Sequence, residues 1–547
     1  MKYTFKRNAL RTAAFAAALS MLALTACGNG NENGENANDA DTVQTTAAEN
    51  AAENAIKAVY GEIRTEYNDS LDLSDYPLTA NEVPDDFKAV YEAEDAVLGG
   101  GCTVSDNVAA ANGKCVSNLN KEGDSLTFNV DIEYSGFYDV NFVSLPSDAG
   151  RVNYVAVDGE RVGEIQSDSL GIFGDSWLKN LHLEAGTHEI TVTPYWGYIS
   201  YDYIELTKSN IVTDETYAVK AALSNPNADE HTQSLYKFLC DVYGKYSLTG
   251  QFADEGRQSS ELEKIRNETG KEFAVLGLDM SGYSLCSVAN GSQSNTVEFA
   301  YDWYQNAGGI VQLCWHWTTP MDYCVNNKDN PWYSSFYKEG SNLDLDKIMN
   351  GEDEAAYQLL MDDIDAISEQ LARLRDAGVP VIWRPLHEAS GGWFWWGNCS
   401  AESYIKLWNV MYDKMTNEHN LTNLIWMWNG QDAEWYPGDE TVDIVSWDIY
   451  QGNNVYTSYS GTFAKCVEAS GEPKLIALSE NGCVMDPDNV MNDNSRWLFW
   501  GTWSDPFTLK LGVVLNEEYT EKSLLNKAYN SDRTLTLDEL PDLKNYK

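Results

Sequence analysis

Two glutamates carry the strongest chemical signal in this chain. The first closes the run Trp383-Arg384-Pro385-Leu386-His387-Glu388 and is followed by Gly391-Gly392-Trp393-Phe394-Trp395-Trp396; the second lies in Ser479-Glu480-Asn481-Gly482. Each stands behind a short apolar run, the position of a strand end. Cleavage of a glycosidic bond needs two carboxyl groups facing each other across it, and sugar rings stack their C–H faces on aromatic side chains. A single glutamate after an apolar strand is usually a solvated strand end. Two of them in one repeating architecture, one beside three indoles, point instead to hydrolysis of sugar chains. Trp393, Trp395 and Trp396 are too close in sequence for all to be core, so at least one should be exposed.

The elements that must position these glutamates lie in residues 214–547. Eight strand-like runs are readable there: Tyr246–Phe252, Phe273–Asp279, Gly309–Trp317, Pro380–Glu388, Leu424–Asn429, Asp443–Tyr450, Lys474–Glu480 and Trp497–Trp503. Helical periodicity falls between many of them, at Ser259–Thr269, Val297–Ala307, Ala355–Ala377 and Ala401–His419. In Ala355–Ala377 the residues Leu359, Leu360, Ile364, Ile367, Leu371 and Leu374 recur at three-to-four spacing. Repeated strand and helix over this length predicts an α/β fold, a (β/α)8 TIM barrel, with its active site at the strands' C-terminal ends. Strands four and seven lie across the mouth of such a barrel, which sets Glu388 opposite Glu480. Strand alternation predicts that Arg384, Leu386 and Glu388 share one face. Arg384 would then sit beneath Glu388, holding it ionised or forming a structural ion pair. Trp315-His316-Trp317, Trp447-Asp448-Ile449-Tyr450, Trp500 and Trp503 add polar and aromatic groups at other strand ends.

Upstream, residues 88–208 read differently. Short alternating runs at Ser125–Tyr134, Gly136–Ser144, Val152–Val157, Ser176–Leu183, His188–Pro194 and Tyr198–Leu206, punctuated by Asp158-Gly159 and Ala185-Gly186, predict a jelly-roll-like β-sandwich. Residues 27–87 read as an acidic tether and lead-in, with a short helix around Ala55–Tyr67. Before them, Lys2, Lys6, Arg7 and Arg11 precede an apolar run, Thr12 to Ala26, that is too short to span a membrane. Residues 1–26 are therefore a secretory signal. Leu24-Thr25-Ala26-Cys27-Gly28 resembles a bacterial lipobox, which would make Cys27 a lipid anchor on the extracellular face of the cell envelope and the only membrane contact.

Composition narrows the partners. A formal net charge of −47 argues against nucleic acid and against anionic membrane surfaces, and a neutral polysaccharide is indifferent to it. An aromatic content of 12% supports large cores in more than one module. The chain has 10 cysteines without a CxxC pair, and its histidines form no HExxH, so neither a zinc site nor a dense disulfide framework is indicated. Cys102 with Cys115 is the one candidate bridge.

The two glutamate motifs resemble glycoside hydrolase family 26, the retaining β-mannanases, over residues from about 214 to the C-terminus. The resemblance implies that Glu388 is the acid/base and Glu480 the nucleophile. It also implies that His316, His387, Trp393, Asp448, Tyr450 and Trp503 surround the sugars, with Arg384 in support. Tyr91-Glu92-Ala93-Glu94, Ser135-Gly136-Phe137-Tyr138 and Trp196-Gly197-Tyr198-Ile199-Ser200-Tyr201-Asp202-Tyr203-Ile204 look like carbohydrate-binding module family 35. By that resemblance Glu92, Glu94 and Asp202 are ligands for a structural Ca²⁺, hard oxygen donors that suit this ion. Trp177 and Trp196 are sugar platforms or core residues. Catalysis itself calls for no cofactor. The expectation is a monomeric retaining hydrolase of β-1,4-mannosidic bonds in mannan, glucomannan or galactomannan. Its rivals are the same mechanism on β-1,3-1,4-glucan or β-1,3-xylan, or a non-catalytic polysaccharide-capturing lipoprotein, which would not need both glutamates.

Overall fold

The computed structural model describes Ile56 and residues 58–547. The signal segment, Cys27 and most of the tether lie outside the described residues.

The strands Gly250–Phe252, Val275–Asp279, Ile310–Cys314, Val381–Arg384, Leu424–Trp428, Ile444–Ile449, Leu475–Asn481 and Trp500–Thr502 form one closed barrel. They pair in parallel, and Gln251 opposite Thr502 closes the ring. Almost every strand residue is buried, as helices on the outside and side-chain layers on the inside require. The longest helix, Glu354–Asp376, shows how the outer ring is built. The Asp353 side chain accepts from the Ala356 amide at 3.0 Å, and Leu360, Ile364, Ile367, Leu371 and Leu374 form a buried stripe. Two of the expected helices end in a wider turn, Asp302–Asn306 after Thr296–Tyr301 and Lys414–Glu418 after Ala401–Asp413.

The upstream module is a β-sandwich with its own core. One sheet contains Lys88–Glu92, Thr103–Asp106, Lys114–Leu119, Gly136–Pro146, Trp177–Leu183 and Ile199–Lys208. The other contains Val97–Gly99, Ser125–Ile132, Arg151–Val157, Glu160–Ser167 and Gly186–Pro194. Cys102 and Cys115 are separate buried thiols, so the suggested bridge is corrected.

The lead-in departs from expectation. No helix forms from residue 58 to 67; the chain runs without regular secondary structure and is bound to the barrel. The Tyr60 amide donates to Asp302 Oδ1 at 3.0 Å, and the Arg64 amide to the Asn306 carbonyl at 2.7 Å. The Arg64 guanidinium donates to the carbonyls of Leu537 and Leu540 at 2.6 and 2.8 Å. Farther along, Arg496 donates to the carbonyls of Tyr76 and Pro77 at 2.8 and 2.7 Å. Backbone groups that a helix would have satisfied internally are satisfied by the barrel instead. Asn306 and Arg496 precede the strands Ile310–Cys314 and Trp500–Thr502, so these contacts fall on the side of the strands' N-terminal ends.

The module and barrel also touch. Lys179 lies 3.4 Å from Glu468, His182 lies 3.5 Å from Asp493, and Arg161 donates to the Gln451 carbonyl at 2.6 Å.

Candidate active site

Strand four stops at Arg384, where Pro385 supplies no amide to continue the ladder. Leu386 and Glu388 then take left-handed backbone conformations, with φ of 51° and 53°. Such residues cost about 1–2 kcal/mol each and persist only where surrounding contacts hold them. Those contacts are present: the Glu388 amide donates to Asn429 Oδ1 at 2.9 Å, and Trp396 donates to the His387 carbonyl at 2.8 Å. The simple alternation expected for 384, 386 and 388 is therefore corrected. Arg384 does not bond Glu388; it donates to Asp448 Oδ2 at 2.7 Å and, very closely, to Glu480 Oε1.

Strand seven reaches the same place by another device. Trp447 pairs with Leu478 but Asp448 pairs with Glu480, so Ser479 is an extra residue on that strand. The bulge turns Glu480 toward the mouth beside Asp448, and Ser479 Oγ donates to Asp448 Oδ1 at 2.7 Å. Glu480 Oε2 accepts from the Tyr450 hydroxyl at 2.7 Å. Glu388 Oε2 accepts from the Trp393 indole at 2.8 Å.

One carboxylate oxygen from each of Glu388, Asp448 and Glu480 lies within 4.8 Å of the others. An approach of single oxygens this close is compatible with the carboxyl separation of about 5–5.5 Å in a retaining pair. Electrostatics divide the two glutamates. Burial, and then the charges of Asp448 and Glu480, hold the Glu388 carboxyl well above the usual carboxylate range. Glu480 instead accepts from the Arg384 guanidinium and the Tyr450 hydroxyl. Glu388 is thus the carboxyl placed to carry a proton, and Glu480 the one held by a cation and a hydroxyl. Arg384 bridges Asp448 and Glu480.

Asp448, expected around the sugar, has a side chain that is 0% exposed, with oxygens that accept from Arg384, Asn429 and Ser479. His316 Nδ1 bonds Asp279 Oδ2 at 2.7 Å, and its Nε2 lies 3.2 Å from His387 Nε2. His387 is packed among His316, Phe394 and Trp396, and burial followed by Arg384 lowers its pKa well below the usual value. It backs His316 instead of lining the opening. Trp503 packs edge-on to His316 at 5.8 Å and against Phe252 at 4.6 Å. Trp393 is partly exposed while Trp395 and Trp396 are core. Trp315, Trp317 and Trp500 are core too, so their assignment to the cleft is corrected.

Sequence reasoning missed Asn429, Asp279 and Tyr337. Asn429 is buried and its Nδ2 donates to Asp448 Oδ1 at 3.0 Å and Ser479 Oγ at 2.8 Å, joining strands five, six and seven. A polar residue ending the apolar run Leu424–Trp428 is the same signal that marked Glu388 and Glu480. Tyr337 lies near enough to Glu388 and Glu480 that burial, followed by their charges, raises its pKa; its position in an irregular segment gives no such signal.

In the module, Glu92 Oε2, Glu94 Oε2 and Asp202 Oδ1 are all buried without a hydrogen-bond partner. Burial and then Glu94 and Asp202 raise the Glu92 pKa, which places the three carboxyls in one electrostatic neighbourhood. A hard cation is the kind of group that would offset the cost of such orphaned oxygens, although the three carboxylates do not bring their ligand atoms within 4.8 Å of one another. Trp196 is 53% and Trp177 37% exposed, so both are surface rings. Trp196 packs beside Tyr195 at 5.9 Å, whereas Trp177 faces Lys179 Nζ at 5.2 Å.

This is the fold and the paired-carboxylate site of a retaining glycoside hydrolase. Residues 224–539 match the model for glycosyl hydrolase family 26, and the chain belongs to that family. Residues 89–209 match carbohydrate binding module family 35. A mannan endo-1,4-beta-mannosidase of Thermothelomyces thermophilus is 34% identical, over 84% of this chain and 91% of that protein. Mannan endo-1,4-beta-mannosidase B of Piromyces sp. is 30% identical, over 83% of this chain and 77% of that protein. The crystal structure of a Podospora anserina GH26-CBM35 beta-(1,4)-mannanase is similar at 34% identity and a TM-score of 0.58. The match covers 84% of this chain and 99% of that one.

Proposed function

We propose that this chain hydrolyses internal β-1,4-mannosidic bonds of mannan, glucomannan or galactomannan with retention of configuration. Glu480 attacks the anomeric carbon as Glu388 gives its proton to the leaving oxygen; Glu388 then takes a proton from the water that releases the sugar. The observation that carries this is the close approach of Glu388 and Glu480 with different partners, an indole on Glu388 and a guanidinium and a phenol hydroxyl on Glu480. The names of relatives covered over most of their length support mannan as substrate. Mannan, glucomannan, lichenan and xylan assayed together, with the first-formed anomer read by NMR, test it. Mannan cleaved to the β-anomer first is expected; an α-anomer first, or cleavage of lichenan or xylan without mannan, would overturn it.

Trp393→Phe removes the indole bond that favours the ionised form of Glu388. The Glu388 pKa therefore rises, and the alkaline limb of the kcat/KM profile moves to higher pH while kcat falls about tenfold. An unmoved limb would separate Trp393 from the proton donor.

The reading extends to the module and the N-terminus. Glu92, Glu94 and Asp202 would hold Ca²⁺ as a structural ion, so EDTA should lower the module's unfolding midpoint by about 5 °C or more, and Ca²⁺ should restore it. Asp202→Ala should abolish that response; calorimetry unchanged by EDTA argues against the site. Trp196, with Tyr195 beside it, offers the larger exposed sugar platform. The lipobox-like Leu24-Thr25-Ala26-Cys27 supports anchoring through Cys27 outside the cell. Among the described residues no helix is long and apolar enough to cross a membrane.

A further inference from the structure

We infer that Arg161, a residue of the binding module, is a positioning residue for the barrel's active site, fixing the backbone that follows Tyr450 and thereby the hydroxyl that Tyr450 gives to Glu480. The inference rests on the reading of Glu480 as nucleophile. Arg161 stands at the start of the strand Glu160–Ser167, on the module's edge. Its Nη1 donates to the carbonyl of Gln451 at 2.6 Å, and Gln451 is the residue after Tyr450. The guanidinium lies 3.6 Å from the centre of the Tyr154 ring, which packs on Tyr195 at 4.8 Å. A planar guanidinium can stack on a ring and donate in its own plane at once, and an ammonium cannot.

The local backbone is built around this contact. Gly452 has φ of 100°, and a Cβ there would sit 3.4 Å from Arg161 Nη1. The Gln451 side-chain oxygen is buried without a partner, so it does not secure the turn. On its other side the loop is tied to the barrel, with Cys483 Sγ at 3.1 Å from the Gly452 carbonyl and the Asn454 amide donating to the Tyr519 carbonyl at 3.2 Å. Arg161 is thus the module's half of a two-sided clamp on the segment that begins at Tyr450. Tyr450 in turn has its ring against Phe507 at 4.9 Å and its hydroxyl on Glu480 at 2.7 Å. A small displacement of that backbone lengthens the hydroxyl bond on the nucleophile, and displacements well below a residue's width are enough to cost rate.

The test uses the full chain and mannotetraose, a soluble substrate, so that loss of polymer capture by the module is not what is read. Arg161→Met is expected to lower kcat about three- to tenfold with KM within about twofold, and Arg161→Lys to recover part of the loss. In a Tyr450→Phe background the Arg161→Met effect should shrink toward none, because the hydroxyl through which it acts is gone. Wild-type kcat in Arg161→Met, or an effect undiminished by Tyr450→Phe, would overturn the inference. Should Arg161→Met fail to fold, Tyr154→Leu withdraws the ring from the guanidinium and should lower kcat in the same direction; an unchanged kcat there also overturns it. An inactive Glu480→Ala beside an unaffected Arg161→Met refutes this inference alone, whereas an active Glu480→Ala refutes the nucleophile assignment on which it rests.

Discussion

Glu480→Ala is expected to lower kcat on mannan by about 10⁴-fold or more, because a residue that forms the covalent intermediate has no substitute in the site. Arg384 keeps Asp448 as a partner at 2.7 Å, so the buried cation is not left alone and the barrel should still fold. Glu480→Gln, which preserves shape and an acceptor oxygen, should be as inactive and closer to wild-type stability. Added azide can enter the space left by alanine and attack from the nucleophile's side, giving the α-mannosyl azide from an activated substrate. Loss of the Glu480 charge also removes one of the influences that raise the Glu388 pKa, so that carboxyl should titrate at lower pH in the variant. Substantial residual hydrolysis in Glu480→Ala, measured against a chain lacking both glutamates, would end the assignment.

Glu388→Ala should behave differently, and the difference is the diagnostic. Hydrolysis of the polysaccharide, whose leaving group needs a proton, should fall about 10³-fold. An aryl mannoside with a good leaving group should form the glycosyl-enzyme at close to the normal rate and then stall, because water has lost its base; a burst followed by slow turnover is the kinetic form. Azide needs no base, so it should restore turnover and yield the β-mannosyl azide, the opposite anomer from that of Glu480→Ala. Equal losses on both substrates, with no burst and no rescue, would mean that Glu388 acts by shaping the cleft and not by moving a proton.

Particular residues show why some of this was readable and some was not. Glu388 and Glu480 stood out because a carboxylate at the end of an apolar run is costly unless the strand end opens on a cleft or solvent, and that property is local. The eight-stranded repeat was legible because buried parallel strands are apolar on both faces. The partnership of Arg384 was not, since it depends on two left-handed residues after Pro385 and on the bulge at Ser479, neither of which periodicity reveals. Asp448 was identified, but its bonds to Asn429 and Ser479 were not, because those partners lie on neighbouring strands. In the sandwich, Lys114–Leu119 and Glu160–Ser167 escaped notice because their polar residues break a clear alternation. The strap from residue 58 onward carries no periodic pattern because its bonds run to barrel groups, Arg64 donating to the Leu537 carbonyl and Arg496 donating to the strap's Tyr76 carbonyl, and only the tertiary structure supplies those.

The central claim is that Glu480 becomes covalently bonded to sugar while Glu388, across the barrel mouth, handles the proton. The measurement that tests it most directly is trapping with a 2-deoxy-2-fluoro-mannosyl fluoride, whose electron-poor sugar slows release of the intermediate, followed by proteolysis and mass spectrometry of the labelled peptide. Label on the peptide containing Ser479-Glu480-Asn481, at Glu480 and absent from Glu480→Gln, is the predicted result. Label on another carboxylate, or turnover of the probe without any covalent adduct and with inversion at the anomeric carbon, would contradict it.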